Sequence, residues 1–288
     1  MEKFFNNAGP CVVSEHYIID PLQRIDLPEV EHFIAQSRYF VLHAPRQTGK
    51  TTSLLALMHF LNAQGKYRAL YANIEGAQAN RGDVNEGIST VCNVIARSAA
   101  MYLNEGRLDA WLFAEGKQRA ASDRLTSLLA YWSSITEIPV VLMLDEVDAL
   151  VGDTLISVLR QIRAGYTQRP KDFPQTIILC GVRDVRDYRI HTAHHEIITG
   201  GSAFNIKAES LRIGNFSRTD VEELYCQHTT ATGQTIAPEI FPELWEDTYG
   251  QPWLVNALGY EMTWRDKAAR ATAQNRSRWK CTTPAASA

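Results

Sequence analysis

The stretch "HAPRQTGKTTS", His43 to Ser53, gathers the residue types with the clearest chemical use. Its spacing is close to G-x-x-x-x-G-K-[ST], with Ala44 where the first glycine would stand. Successive backbone N–H groups running into a helix N-terminus suit a concentrated negative charge such as a triphosphate. On this reading Ala44, Pro45, Arg46, Gln47 and Thr48 line the cradle, and Gly49 lets the backbone come close. Lys50 bridges the β and γ phosphates, the Thr51 hydroxyl ligates Mg²⁺, and Thr52 adds a hydroxyl near the α phosphate. A positive φ at the first loop position would cost Ala44 about 1 kcal/mol, and alanine is the least bulky replacement. The plain alternative is a strand-to-helix turn with an incidental G-K-T.

The second cluster is "VVLMLDEVDAL", Val140 to Leu150. An apolar run ending in Asp145 puts a carboxylate at a strand's C-terminal end, where it can hold Mg²⁺ through water. Glu146, one step further, can polarise an attacking water. Acidic residues capping the next helix would account for Asp148 but not for the whole D-E pair. Arg183, at the end of the apolar run in "ILCGVRDVRDYR", would emerge on the same sheet edge and reach a γ phosphate; a salt bridge to Asp184 or Asp187 is the competing use. Arg46, Arg160, Arg163 and Arg169 are weaker candidates for such contacts. His191, His194 and His195 have no cysteine or regularly spaced carboxylate beside them, which favours loop histidines over a metal cluster.

These residues need a scaffold. Short apolar runs at residues 38–43, 67–74, 139–145 and 176–182, and a weaker one at 209–214, alternate with helical patterns at 85–103, 122–135 and 155–166. That alternation predicts a parallel sheet wrapped by helices. Another helix opens at the Gly49-Lys50 pair and places Leu54, Leu57, Met58 and Leu61 on one face. Beyond Asn215 only helices are expected. "SRTD" (Ser217 to Asp220) reads as a capping box, and further helical stretches follow at 238–249 and 251–264. The expected organisation is an α/β domain over residues 1–214, a helical lid over 215–264 and a basic tail over 265–288. That tail carries six basic residues against one acidic, and its composition predicts disorder rather than a nucleic-acid contact.

Composition narrows the classes further. With 288 residues, 45% of them hydrophobic, the chain can bury a large core, and a net charge of −3 gives no general attraction to nucleic acid or anionic membrane. The five cysteines lie far apart without a C-x-x-C pair, so reduced thiols are expected rather than a disulfide frame. No run approaches the length of a membrane helix and the N-terminus lacks a secretory pattern, so a soluble, cytoplasmic protein is expected.

The glycine-lysine loop, the D-E pair and an arginine after the next strand resemble the AAA-like and STAND-type P-loop ATPases. The resemblance is closer to a bacterial group of AAA-like ATPases, carried by "HYIIDPLQRIDL", "YFVLHAPRQTGKT", "GGSAFNIKAESLRIGNFS" and "GQPWLVNALGYE" in that order. It implies a three-layer α/β/α fold with strand order 5-1-4-3-2 and a helical lid, and it makes alanine an ordinary first loop residue. It also implies that Tyr17 and Ile18 lie against adenine, and that Pro252, in a G-x-P like that of STAND lids, touches the base. The expected activity is slow Mg²⁺-dependent ATP hydrolysis coupled to a core-to-lid switch, with a homo-oligomer or a protein client as candidate partners. The alternatives are a non-catalytic scaffold or signalling module held by ATP or ADP and, third, a P-loop kinase.

Overall fold

The computed structural model describes residues 3–80, 83–182, 189–191, 197–199 and 207–265; for 189–191, 197–199 and 207–208 the description is of the backbone. The expected sheet is present. Strands β1 (Tyr39–His43), β2 (Arg68–Asn73), β3 (Val140–Asp145) and β4 (Thr176–Gly181) are joined by β7 (Lys207–Arg212) in one parallel sheet. A separate antiparallel pair, β5 (Arg189–His191) and β6 (Ile197–Thr199), lies between β4 and β7 in the chain. The sheet order β7-β1-β4-β3-β2 is 5-1-4-3-2 when only its own strands are counted.

Sequence explains which strands are central. Every residue of β3 and β4 is buried, as continuous apolar runs require when both faces of a sheet are covered. The register pairs Asn73 with Asp145, and His43 with both Gly181 and Arg212, so these residues share the sheet's C-terminal edge.

Two compact units divide the chain. One comprises Asp26–Pro45 and Leu54–Arg212 and contains the main sheet. Its helices are α1 (Leu27–Ala35), most of α2 (Lys50–Ala63), α3 (Val84–Leu103), α4 (Arg107–Ala114), α5 (Ala121–Ser134) and α6 (Gly152–Ala164). Leu54, Leu57, Met58 and Leu61 are all buried, as their spacing on α2 implies. Asp26 and Asp83 start α1 and α3 by accepting from the amides of Glu29 and Glu86. Trp132, Leu142, Leu159 and Phe173 belong to the core on one side of the sheet.

The other unit contains the N-terminal arm through Ile25, the loop Arg46–Ser53 and the chain from Ile213 onward. Helix α7 (Arg218–Thr232) opens with the expected capping box between Ser217 and Asp220, followed by α8 (Ile240–Thr248), α9 (Pro252–Tyr260) and a π-helical turn, Glu261–Arg265. The arm packs on these helices: Phe5 and Tyr17 share a core with Tyr225, Phe241 and Val255. Ile18 and Gln227 exchange two hydrogen bonds, Ile18 N to Gln227 Oε1 at 3.1 Å and Gln227 Nε2 to Ile18 O at 2.8 Å. Of the basic tail only Arg265 is described, paired with Glu261 at 2.8 Å.

Cys11, Cys92 and Cys180 are free thiols, whereas Cys226 is disulfide-bonded, a departure from the expectation of five reduced cysteines. Among the described residues no helix is long and apolar enough to cross a membrane.

Candidate functional site

The glycine-lysine loop begins as an extension of β1. Ala44 is fully buried, its N–H donates to Gly181 O at 3.2 Å, and its φ is not positive. The expected conformational cost at Ala44 is therefore absent. The left-handed positions are instead Gln47 (φ 61°) and Gly49 (φ 77°). Gln47 has a Cβ, so the loop carries strain of about 1 kcal/mol there. At Gly49 the same φ is free, and a Cβ would also come within 2.9 Å of Arg24 Nη1.

Helix α2 then starts at Lys50, with Ser53 N donating to Gly49 O at 3.0 Å. The amides of the first turn precede that bond and point out of the helix N-terminus, the geometry that attracts anions. Pro45, Arg46 and Gln47 are exposed, Thr48 and Lys50 buried, and Gly49, Thr51 and Thr52 half-buried. The Thr52 hydroxyl accepts from Cys11 N at 3.2 Å and retains its own proton to donate. Ser53 Oγ donates to Pro21 O at 3.4 Å.

Two side chains that the sequence did not single out hold this loop from outside. Arg24 Nη2 donates to Thr48 O, and Gln251 Nε2 donates to Gln47 O at 3.1 Å. Arg24 is itself fixed, since Nε and Nη2 reach Gly214 O at 3.0 and 2.7 Å and the guanidinium lies 5.1 Å from the Phe216 ring centre. Burial pulls its pKa down to about 10, opposed by the charge of Asp220, so it remains a cation at neutral pH. Arg24 lies inside "HYIIDPLQRIDL", where the resemblance to AAA-like ATPases implies no role for the arginine.

The carboxylates at the sheet's C-terminal edge have their own supports. Asp145 is fully buried, with Oδ2 accepting from Tyr71 Oη at 3.0 Å and Oδ1 from the Glu146 amide at 2.9 Å. Tyr71 was also missed; its place in β2, two residues before the partner of Asp145, is the signal that could have found it. Glu146 is half-buried in the left-handed region, φ 60° and ψ 40°, and makes no side-chain cap to the turn that follows. Asp148 does not cap a helix either, because its Oδ1 accepts from Val182 N at 3.1 Å.

Tyr17 is buried, with its hydroxyl 3.1 Å from His228 Nδ1, and the Ile18 side chain is half-buried. Pro252 is buried in the first turn of α9, behind the N-cap Gln251, whose Oε1 accepts from Leu254 N at 2.6 Å. Arg183 lies outside the described residues, as do His194 and His195. Among the described residues no group of three or more His, Cys, Asp or Glu side chains could hold a metal.

The fold is similar to several solved structures. A Walker-type ATPase of Pyrococcus abyssi aligns over 94% of this chain and 73% of its own length, with a TM-score of 0.64 and 14% sequence identity. The ORC2 protein of Aeropyrum pernix, solved as ADPNP-ADP complexes, aligns over 92% of this chain and 66% of its own at TM-score 0.53 and 12% identity. Cdc6p of Pyrobaculum aerophilum aligns over 88% and 61% at TM-score 0.50 and 16% identity. Such likenesses define the class by architecture, the α/β/α fold of P-loop NTPases. No family model matches the chain, and no curated protein matches it in sequence.

Proposed function

We propose that this protein binds ATP and hydrolyses it slowly with Mg²⁺, using the nucleotide state to reposition its helical lid. The observation that carries the reading is Asp145, a fully buried carboxyl group at the end of a central strand, with Oδ2 accepting from Tyr71 Oη and Oδ1 from the Glu146 amide. Its oxygen and the Thr51 hydroxyl are hard donors of the kind Mg²⁺ prefers, so the residues fit that ion chemically. When bound, Mg²⁺ would offset the charge on the phosphate oxygens.

In this reading the loop from Ala44 to Thr52 holds the phosphates, with Lys50 against the β and γ groups and Thr52 near the α phosphate. Tyr71 fixes the orientation of the Asp145 carboxylate, which with Thr51 would hold Mg²⁺. Glu146 accepts the proton of the attacking water, and Arg183 senses the γ phosphate. The base lies against the arm at Tyr17 and Ile18 and against Pro252. The ADPNP-ADP complexes of the Aeropyrum pernix ORC2 protein, similar in fold, support ATP or ADP as the ligand class. A protein client or a second copy of the chain would read the lid position.

The test is phosphate release by the purified protein with and without Mg²⁺, beside equilibrium ATP binding, for wild type and Lys50→Ala. Mg²⁺-dependent release, with binding lost in Lys50→Ala, is the expected result. Binding without release above the uncatalysed background would replace the enzyme by the nucleotide-held scaffold, and no binding would end both readings.

A further inference from the structure

Arg24 has a geometry that ordinary packing does not require. Its guanidinium is buried, yet the acceptors hydrogen-bonded to it are neutral carbonyls, Thr48 O and Gly214 O. A buried cation of this kind usually meets a carboxylate, and Asp220 contributes only longer-range attraction. The choice of Thr48 O is informative. A trans peptide is planar, so its carbonyl and the next residue's N–H point in opposite directions, and the Thr48–Gly49 bond is trans. Drawing Thr48 O toward the buried guanidinium turns the Gly49 N–H the other way. The preceding peptide is treated alike, since Gln251 holds Gln47 O and so directs the Thr48 N–H away from itself.

We propose that Arg24 is a positioning residue for an anion at this loop: by holding the Thr48 carbonyl it presents the Gly49 N–H to a phosphate oxygen. The inference rests on the ATP reading and adds the group that sets one of its phosphate donors. Neighbouring contacts serve the same end. Gly214 N donates to Arg24 O at 2.8 Å, and the Phe216 ring lies 5.1 Å from the guanidinium, so backbone and side chain of Arg24 are both anchored to one segment. Gly49 leaves room for the fork, because a Cβ there would reach 2.9 Å from Nη1.

A positioning role differs from attraction by charge. Lysine keeps the charge but lacks the planar fork that serves two carbonyls at once. Inorganic pyrophosphate and ATP are the probes, titrated calorimetrically into wild type, Arg24→Lys and Arg24→Met, with the amide signal of Gly49 followed by NMR during the pyrophosphate titration. In wild type both probes bind and the Gly49 signal shifts. In Arg24→Lys the affinities fall by roughly tenfold or more, the scale of one lost hydrogen bond to a charged group, and the Gly49 shift at saturation collapses. Should Arg24→Met fail to fold, Arg24→Lys carries the comparison alone. Wild-type affinity in Arg24→Lys, or a weakened affinity with an unchanged Gly49 shift at saturation, overturns the proposal while leaving the ATP reading intact. If wild type binds neither probe, both fall together.

Discussion

Glu146 offers a test in which stability and turnover move in opposite directions. The residue occupies the left-handed region at φ 60° and ψ 40°, where a side chain with a Cβ costs about 1–2 kcal/mol. Glu146→Ala removes the carboxylate and keeps the strain, whereas Glu146→Gly removes both. Glycine's greater freedom in the unfolded chain offsets roughly 0.5–1 kcal/mol of that relief. The glycine variant should thus exceed the alanine variant in stability by ~0.5–1 kcal/mol, read by urea unfolding without nucleotide. Both should lose hydrolysis by roughly 10²- to 10⁴-fold, and Glu146→Gln, which keeps size and polarity, should lose as much while still binding ATP. Single-turnover hydrolysis beside equilibrium ATP affinity reads that half. A glycine variant no more stable than the alanine one would refute the strain argument. Equal hydrolysis by wild type and Glu146→Gln would refute the catalytic one.

Tyr71→Phe deletes one donor to the buried Asp145 carboxylate, so stability should fall by about 1.5–3 kcal/mol and the Mg²⁺ concentration for half-maximal turnover should change several-fold; an unchanged Mg²⁺ response would mean that Tyr71 only packs. Gly49→Ala combines an unfavourable φ with a contact of 2.9 Å to Arg24 Nη1, and should lower stability by at least about 1 kcal/mol and ATP affinity by more. Pro252→Ala should leave the fold intact, since alanine suits a helix start, and weaken ATP affinity a few-fold; an unaltered affinity would take Pro252 away from the base. For His16, burial lowers the pKa below 6.5 and neutral Nδ1 accepts from Val12 N at 2.8 Å. The unfolded chain therefore binds that proton more tightly, and the stabilisation present above pH 6.5 is lost as pH falls through the folded value, seen as a falling protection factor of the Val12 amide after its exchange rate is referred to the intrinsic rate at each pH.

The central strands were readable because an apolar run covered on both faces admits few alternatives, and β3 begins within one residue of its expected start. The edge strand β7 was expected at 209–214 and lies at Lys207–Arg212; "KAESLR" lacks a continuous apolar block to fix its position. Helices α1 and α4 went unread because nine and eight residues carry little periodicity, although Asp26 with Glu29 three residues on was a legible start signal for α1. For the site, spacing and residue type located the loop and the D-E pair. Their supports were hidden, because the bonds of Arg24, Tyr71 and Gln251 span 24, 74 and 204 residues of sequence and leave no local pattern.

The missing first glycine links these observations. With Ala44 built into the sheet edge, the turn is made three residues later, at Gln47, whose side chain resists the left-handed conformation. Nothing local would keep the backbone there, since relaxing φ at Gln47 would relieve about 1 kcal/mol and swing its carbonyl aside. The Gln251 amide holds that carbonyl, and Arg24 holds the next one. Because Gln251 also caps α9, whatever moves that helix start also acts on the loop's Gln47–Thr48 peptide. Under the ATP reading proposed above, a nucleotide that depends on the orientation of this peptide would by linkage favour one position of the α9 start over another, and that is the route by which the proposed switch would work.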